Sequence, residues 1–182
     1  VKPVNFQLIL SGCIILLLSG CGAKKLPPPE WHFQQAAIKV SLTADPSLNL
    51  FDETPHTLFM CIYQLSDPNA FNVFIQNSKG ISDLLACNRF DPSAVSFKRV
   101  IVQPGSEQDL IMDRAEGAKY VGIVAGYFAL YKESSVRLLD IPVVVETKGF
   151  IRKTKTKKPG KLAVKLYLGP QGIKETGVKS EF

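Results

Sequence analysis

From Ala36 onward the chain alternates. Ile38, Val40 and Leu42 interleave with Lys39, Ser41 and Thr43, the period of two that predicts a strand with one buried face. Residues 57–65 are nearly all apolar, which predicts a strand covered on both faces. Phe97, Val100, Ile101 and Val102 predict a third strand, closed by the turn pair Pro104-Gly105, and Leu110-Ile111-Met112 a short fourth. Residues 119–131 are the most apolar stretch beyond the N-terminal region, and Gly122 and Gly126 within it have the small-xxx-small spacing of membrane helix pairs. The run is too short to span a bilayer and rich in β-branched and aromatic residues. It therefore predicts a central strand whose glycines admit a close neighbour. Segments 136–145 and 162–168 predict two more strands, the latter alternating Leu162, Val164, Leu166 and Leu168 against Ala163, Lys165 and Tyr167.

The period changes between the second and third strands. Phe71, Phe74, Ile75, Ile81, Leu84 and Leu85 recur at spacings of three and four, as short helices on the rim of a sheet would place them. Several short strands with one small helical insert predict a mainly all-β domain, a two-sheet β-sandwich.

The N-terminal region reads differently. Lys2 precedes an apolar stretch that ends Leu18-Ser19-Gly20-Cys21, the anatomy of a secretory signal peptide. Asn5, Gln7 and two Ser-Gly pairs interrupt it, against a membrane-spanning helix. The ending resembles the lipobox of bacterial lipoproteins, in which the cysteine is acylated and becomes the mature N-terminus; Leu10-Ser11-Gly12-Cys13 is a second, less favourably placed match. Each buried methylene contributes about 0.8 kcal/mol, so several acyl chains on Cys21 hold a domain on a membrane where one binds reversibly. Gly22 resembles the residue found there in lipoproteins sorted to the outer membrane. Pro27-Pro28-Pro29 is a stiff spacer, and Trp31 and Phe33 either dip into the membrane interface or staple the start of the domain. The expected organisation is a lipoprotein signal peptide over 1–20, the lipidated cysteine and Pro-rich spacer over 21–35, and the sandwich over 36–182 with its helical insert at about 68–90.

Composition narrows the function. The 182 residues are 46% hydrophobic and 21% charged, with a net charge of +6, which fits one globular domain and not a disordered chain. Beyond the N-terminal region the cysteines are Cys61 and Cys87. In an oxidising compartment they form either a disulfide or two buried thiols. Basic residues gather at Lys148, Arg152, Lys153, Lys155, Lys157, Lys158, Lys161 and Lys165. They suit phosphate-rich lipid heads or an acidic partner, or form a solvated hairpin around Lys158-Pro159-Gly160 whose lysines block edge pairing. Nucleic acid is not expected, because the compartment excludes it and no aromatic residues interleave for base stacking.

Catalytic constellations are missing from the sequence. It contains neither a Gly-x-Ser-x-Gly elbow nor a phosphate-cradling Gly-rich loop. His56 and Cys61 lie five residues apart, about 16 Å along an extended strand and on opposite faces. His56 with Asp52 and Glu53 offers a metal ion one strong ligand. No enzyme, metal or cofactor is expected, beyond a covalent diacylglycerol and N-acyl chain on Cys21.

The stretch from Ile38 to Pro68 carries a resemblance. A first strand, then Ala44, Asp45, Asn49 and Pro55, an apolar strand ending Tyr63-Gln64-Leu65, and Asp67-Pro68 resemble the type VI secretion outer-membrane lipoproteins of the TssJ/SciN family. Ala70-Phe71, Leu84-Leu85, Pro104-Gly105 and Tyr120-Val121-Gly122 continue it. The chain departs from the family pattern at Leu50-Phe51, at Cys61 and in the lysine-rich segment. The resemblance implies a transthyretin-like sandwich, lipid-anchored on the periplasmic face of the outer membrane, that binds the C-terminal periplasmic domain of a TssM-type inner-membrane protein. It assigns that contact to the loop after the first strand, here Asp45, Pro46, Leu48, Asn49, Leu50, Phe51, Asp52 and Pro55, with Leu48, Leu50 and Phe51 exposed as binding anchors, or with Leu50 and Phe51 folded back to cap the end of the sandwich. A different class of function is a periplasmic module binding cell-wall glycan or lipid through Trp31, Tyr127, Tyr131 and the basic hairpin.

Overall fold

A computed structural model describes residues 26–149 and 153–181. The expected signal peptide over 1–20, with Cys13, and the positions Cys21 and Arg152 lie outside the described residues. Ten strands run in the order β1 (Gln34–Ala44), β2 (Leu58–Leu65), β3 (Ala94–Val102), β4 (Glu107–Arg114), β5 (Tyr120–Ala125), β6 (Val136–Asp140), β7 (Val143–Lys148), β8 (Thr154–Pro159), β9 (Lys161–Leu168) and β10 (Ile173–Glu181). Among the described residues three short helices interrupt them: α1 (Asn69–Phe74), α2 (Ser78–Leu84) and α3 (Lys132–Ser135).

The strands form two four-stranded sheets, β10-β9-β1-β4 and β3-β2-β5-β6, and a separate pair β7-β8. In the first sheet β1 lies antiparallel to β4 and parallel to β9, with Ile38 opposite Leu162, Val40 opposite Val164 and Leu42 opposite Leu166. Those side chains meet Leu58, Met60, Ile62, Val100, Val102, Val121, Ile123 and Ala125 of the second sheet in one buried core. The expected two-sheet β-sandwich is therefore the fold.

The second core explains the apolar run of β2. Its alternate residues Cys61, Tyr63 and Leu65 turn away from the first sheet and are buried with Phe71, Ile75, Ile81 and Leu84 of the helical insert. The Tyr63 hydroxyl donates to the Leu84 carbonyl at 2.6 Å, fixing α2 on the strand, and burial pushes its pKa up to about 12. Gly122 of β5 faces the same cluster, and a Cβ there would stand 2.8 Å from the Phe71 ring. A glycine that admits a large neighbour is what the sequence called for. Cys61 and Cys87 are joined, with Cα atoms 5.5 Å apart, which ties the end of the insert to β2.

Three expectations need correction. Segment 136–145 is two strands in different sheets, because Ile141-Pro142 breaks it between β6 and β7. Segment 119–131 ends as a strand at Ala125. The lysine-rich segment does not turn back on itself at Pro159-Gly160. There the chain leaves β8 for β9 in another sheet, and the hairpin is β7 with β8.

Candidate functional site

The sandwich has two ends. β1 carries 11 residues, ten steps of about 3.3 Å or at most about 33 Å, so its first and last residues mark opposite ends of the domain.

The chain enters at the Gln34 end. Trp31 packs against the core and lies under the Arg114 guanidinium, 5.7 Å from ring centroid to carbon. Arg114 is buried and donates to the His32 carbonyl at 2.8 Å and the Gly160 carbonyl at 3.5 Å. Its pKa is lowered by desolvation. Trp31 is thus a staple, whereas Phe33 stays exposed. Gln64 fastens the two sheets here, its amide donating to the Asp113 carbonyl and accepting from the Ala115 N–H, both at 2.8 Å. The β7–β8 hairpin also springs from this end: Ile141 N–H donates to the Lys119 carbonyl and Gly160 N–H to the Pro142 carbonyl.

The loop from Asp45 to Thr57 forms the other end, and its backbone is tied down along its length. Asp45 accepts from the Tyr167 hydroxyl and from Ser47 N–H; in that order these two donors hold its carboxyl below the ordinary range. Leu48 N–H donates to the Asp45 carbonyl and His56 N–H to the Leu48 carbonyl, each at 2.9 Å. Leu50 N–H reaches the Pro170 carbonyl at 2.8 Å. The tip is a two-residue hairpin in which Phe51 and Thr54 exchange both backbone bonds at 3.0 Å. Asp52 (φ 48°) and Glu53 (φ 58°) occupy the left-handed positions that such a tight turn demands.

The apolar residues of the loop do not act alike. Leu48 is fully buried in the main core, which corrects the reading of it as an exposed anchor. Asn49 is buried too, its side chain accepting from Phe128 N–H at 3.2 Å and donating to the Thr57 carbonyl at 3.4 Å. Leu50 is half-buried, while Pro46, Asp52 and Pro55 are exposed. Phe51 stays 55% exposed and stacks on Phe128, 54% exposed, with ring centroids 4.3 Å apart. His56 meets Phe128 edge-on at 5.0 Å.

Asn49, Leu50, Phe51 and Phe128, together with Tyr127, Tyr131, Pro170 and Gln171, line an open groove of about 500 Å³. Tyr127 is buried within it, and its hydroxyl has no hydrogen-bond partner among the described residues. Sequence reasoning missed Phe128, because a phenylalanine inside an apolar run reads as strand core. It also grouped Trp31 with Tyr127 and Tyr131, which the fold separates to opposite ends. Among the described residues no cluster of three or more metal-ligating side chains exists, and no helix is long and apolar enough to cross a membrane.

The family model described as type VI secretion lipoprotein (VasD, EvfM, TssJ) matches residues 36–165. Among solved structures the chain is similar to the type VI lipoprotein TssJ1 from Pseudomonas aeruginosa, at 21% identity and a TM-score of 0.58, covering 85% of this chain and 98% of that one. It is similar to Serratia marcescens Lip, a membrane-bound component of the type VI secretion system, at 16% identity and a TM-score of 0.53, covering 77% and 96%. A chain of the structure described as the TssM C-terminal domain from EAEC also matches, at 16% identity and a TM-score of 0.55, covering 77% and 97%. No curated protein matches the sequence significantly.

Proposed function

The chain belongs to the type VI secretion lipoprotein family, and from that premise we propose that it is an outer-membrane anchor for the secretion machine's membrane complex. In this reading Cys21 carries the acyl chains, the Pro-rich segment spaces the domain from the lipid, and the Asp45–Thr57 end grips the C-terminal periplasmic domain of a TssM-type inner-membrane protein. The chain's role is mechanical, without catalysis.

One observation carries the partner assignment: Phe51 and Phe128, stacked on each other, remain more than half exposed. Aromatic surface left in water on a well-ordered loop is what a binding anchor requires, because little order has to be created on docking. The tight turn at Asp52-Glu53 and the buried Leu48 hold the rings outward. The exposed end also lies at the opposite end of β1 from the entry point of the chain, so the lipid end and the gripping end do not compete.

A photo-crosslinking residue in place of Phe51, in cells that make the whole machine, should yield an adduct with the inner-membrane protein. The same residue at Ile111, exposed on the outer face of the first sheet, should yield none; equal adducts at both sites, or none at 51, count against the reading. Cys21→Ser should release the chain from palmitate labelling, and a labelled variant removes the anchor from the account.

A further inference from the structure

The β7–β8 hairpin takes no part in the groove or in either core. Cross-strand pairing sets Val143, Val145 and Thr147 on the same face as Pro159, Lys157 and Lys155. Val143 and Val145 are exposed, so one face of the arm combines apolar side chains with lysines. Its acidic member is Glu146, which points to the opposite face and is held by Lys158 at 3.0 Å and Lys148 at 3.4 Å. No described carboxylate lies within ion-pair distance of Lys153, Lys155 or Lys157. The arm is therefore strongly cationic on the face that also exposes valines.

Its position adds the second observation. The hairpin base is fixed to the entry point of the chain through Arg114, which holds the His32 and Gly160 carbonyls together, and Gln34 lies beside Val145 and Lys158. Thirteen positions separate Gln34 from Cys21, a tether of at most about 45 Å when fully extended, so an acylated Cys21 keeps this end of the sandwich within reach of the lipid.

From these two observations we infer that the β7–β8 arm is a second membrane contact, lying with its Val143–Val145–Lys155–Lys157 face against anionic phospholipid headgroups. Lysines near a negative surface each strengthen attachment about fivefold, and their methylene stems can lie on the interface beside the valines. The arm would orient the tethered domain, turning the Phe51–Phe128 end away from the lipid. Edge protection accounts for lysines on an exposed hairpin, but gives no reason for them to share a face with bare valines at the tethered end. The inference shares the N-terminal tether with the proposed function and does not depend on the identity of the protein partner.

The full lipidated chain is reconstituted in vesicles of phosphatidylethanolamine with phosphatidylglycerol, or of phosphatidylcholine alone, and its lysines are acetylated with an N-hydroxysuccinimide ester and read by mass spectrometry. Acetylation of Lys155 and Lys157 should slow about fivefold or more in the anionic vesicles. It should recover at about 0.5 M NaCl, where the Debye length shrinks to about 4 Å. Lys79 on the helical insert and Lys174 at the loop end serve as unchanged references. Equal labelling in both vesicles overturns the inference. So does protection by isolated peptidoglycan in neutral vesicles, which transfers the arm to the cell wall. Flotation of the chain with vesicles at high salt reports the acyl anchor separately, so loss of the tether is not mistaken for loss of the arm contact.

Discussion

Leu48→Ala separates the part of the loop that belongs to the core from the part held out to solvent. Leu48 is fully buried among the main-core residues, and its backbone groups bond Asp45 and His56. Emptying such a site costs about 3 kcal/mol, within the range of about 2–5 for a buried leucine cut to alanine. With a urea dependence of about 2 kcal/mol per molar, the unfolding midpoint should fall by about 1.5 M. Phe51→Ala should cost about half as much. Its ring is 55% exposed, so it forfeits only part of the 1.5–3 kcal/mol that full burial contributes, roughly 1 kcal/mol, plus about 0.5 kcal/mol for its stack on Phe128. Urea denaturation followed by circular dichroism measures both, and hydrogen exchange at the Leu50 and His56 amides should accelerate in Leu48→Ala before global unfolding. A Phe51→Ala cost equal to or above that of Leu48→Ala would refute the reasoning, since the tip would then be packed in and Leu48 would not be its anchor.

Three further outcomes follow from the geometry. Oxidised protein unfolded without reductant should show no free thiol at Cys61 or Cys87, and reduction should remove roughly 3–4 kcal/mol, the loop-closure value for a separation of 26 residues; two titratable thiols contradict this. Asp45 gains stability when ionised, because its folded pKa is depressed by the Tyr167 hydroxyl and the Ser47 N–H. That contribution is complete above the ordinary carboxylate range and is lost as pH falls through the lower folded value. Urea midpoints taken between neutral pH and about pH 3 should therefore fall less steeply in Asp45→Asn than in the parent. Gly122→Ala should destabilise by about 1–3 kcal/mol, since its methyl would meet the Phe71 ring at 2.8 Å; thermal unfolding at an unchanged midpoint would show that the helical insert gives way freely.

The parts of the fold that could be read from the sequence are those in which a period records burial. The alternation at Ile38, Val40 and Leu42 and at Leu162 to Leu168 marks one buried face each. The unbroken apolar run of β2 marks two, because the helical insert covers the face that the other sheet does not. β10 escaped because Ile173–Glu181 is an edge strand with few apolar residues. The hairpin was misplaced because a Pro-Gly pair signals a change of direction, whether to the next strand or to another sheet. The site was half legible. A loop segment such as Leu48-Asn49-Leu50-Phe51 has no repeating face, so nothing local says that Leu48 turns inward while Phe51 stays out. Phe128 and Tyr127 join it through long-range contacts that no local pattern records: the bond between Asn49 and the Phe128 N–H and the stack of Phe51 on Phe128.

The proposed division of labour between the two ends rests on the exposed ring pair. The most direct test is a calorimetric titration of the chain with the C-terminal periplasmic domain of the TssM-type protein from the same genome, using the parent and Phe51→Asp. Saturable binding that weakens at least about thirtyfold in Phe51→Asp, the loss of about 2 kcal/mol expected of an aromatic anchor, with an unchanged circular dichroism spectrum, is the predicted result. Equal affinities for the two chains, or no binding by the parent, would contradict it.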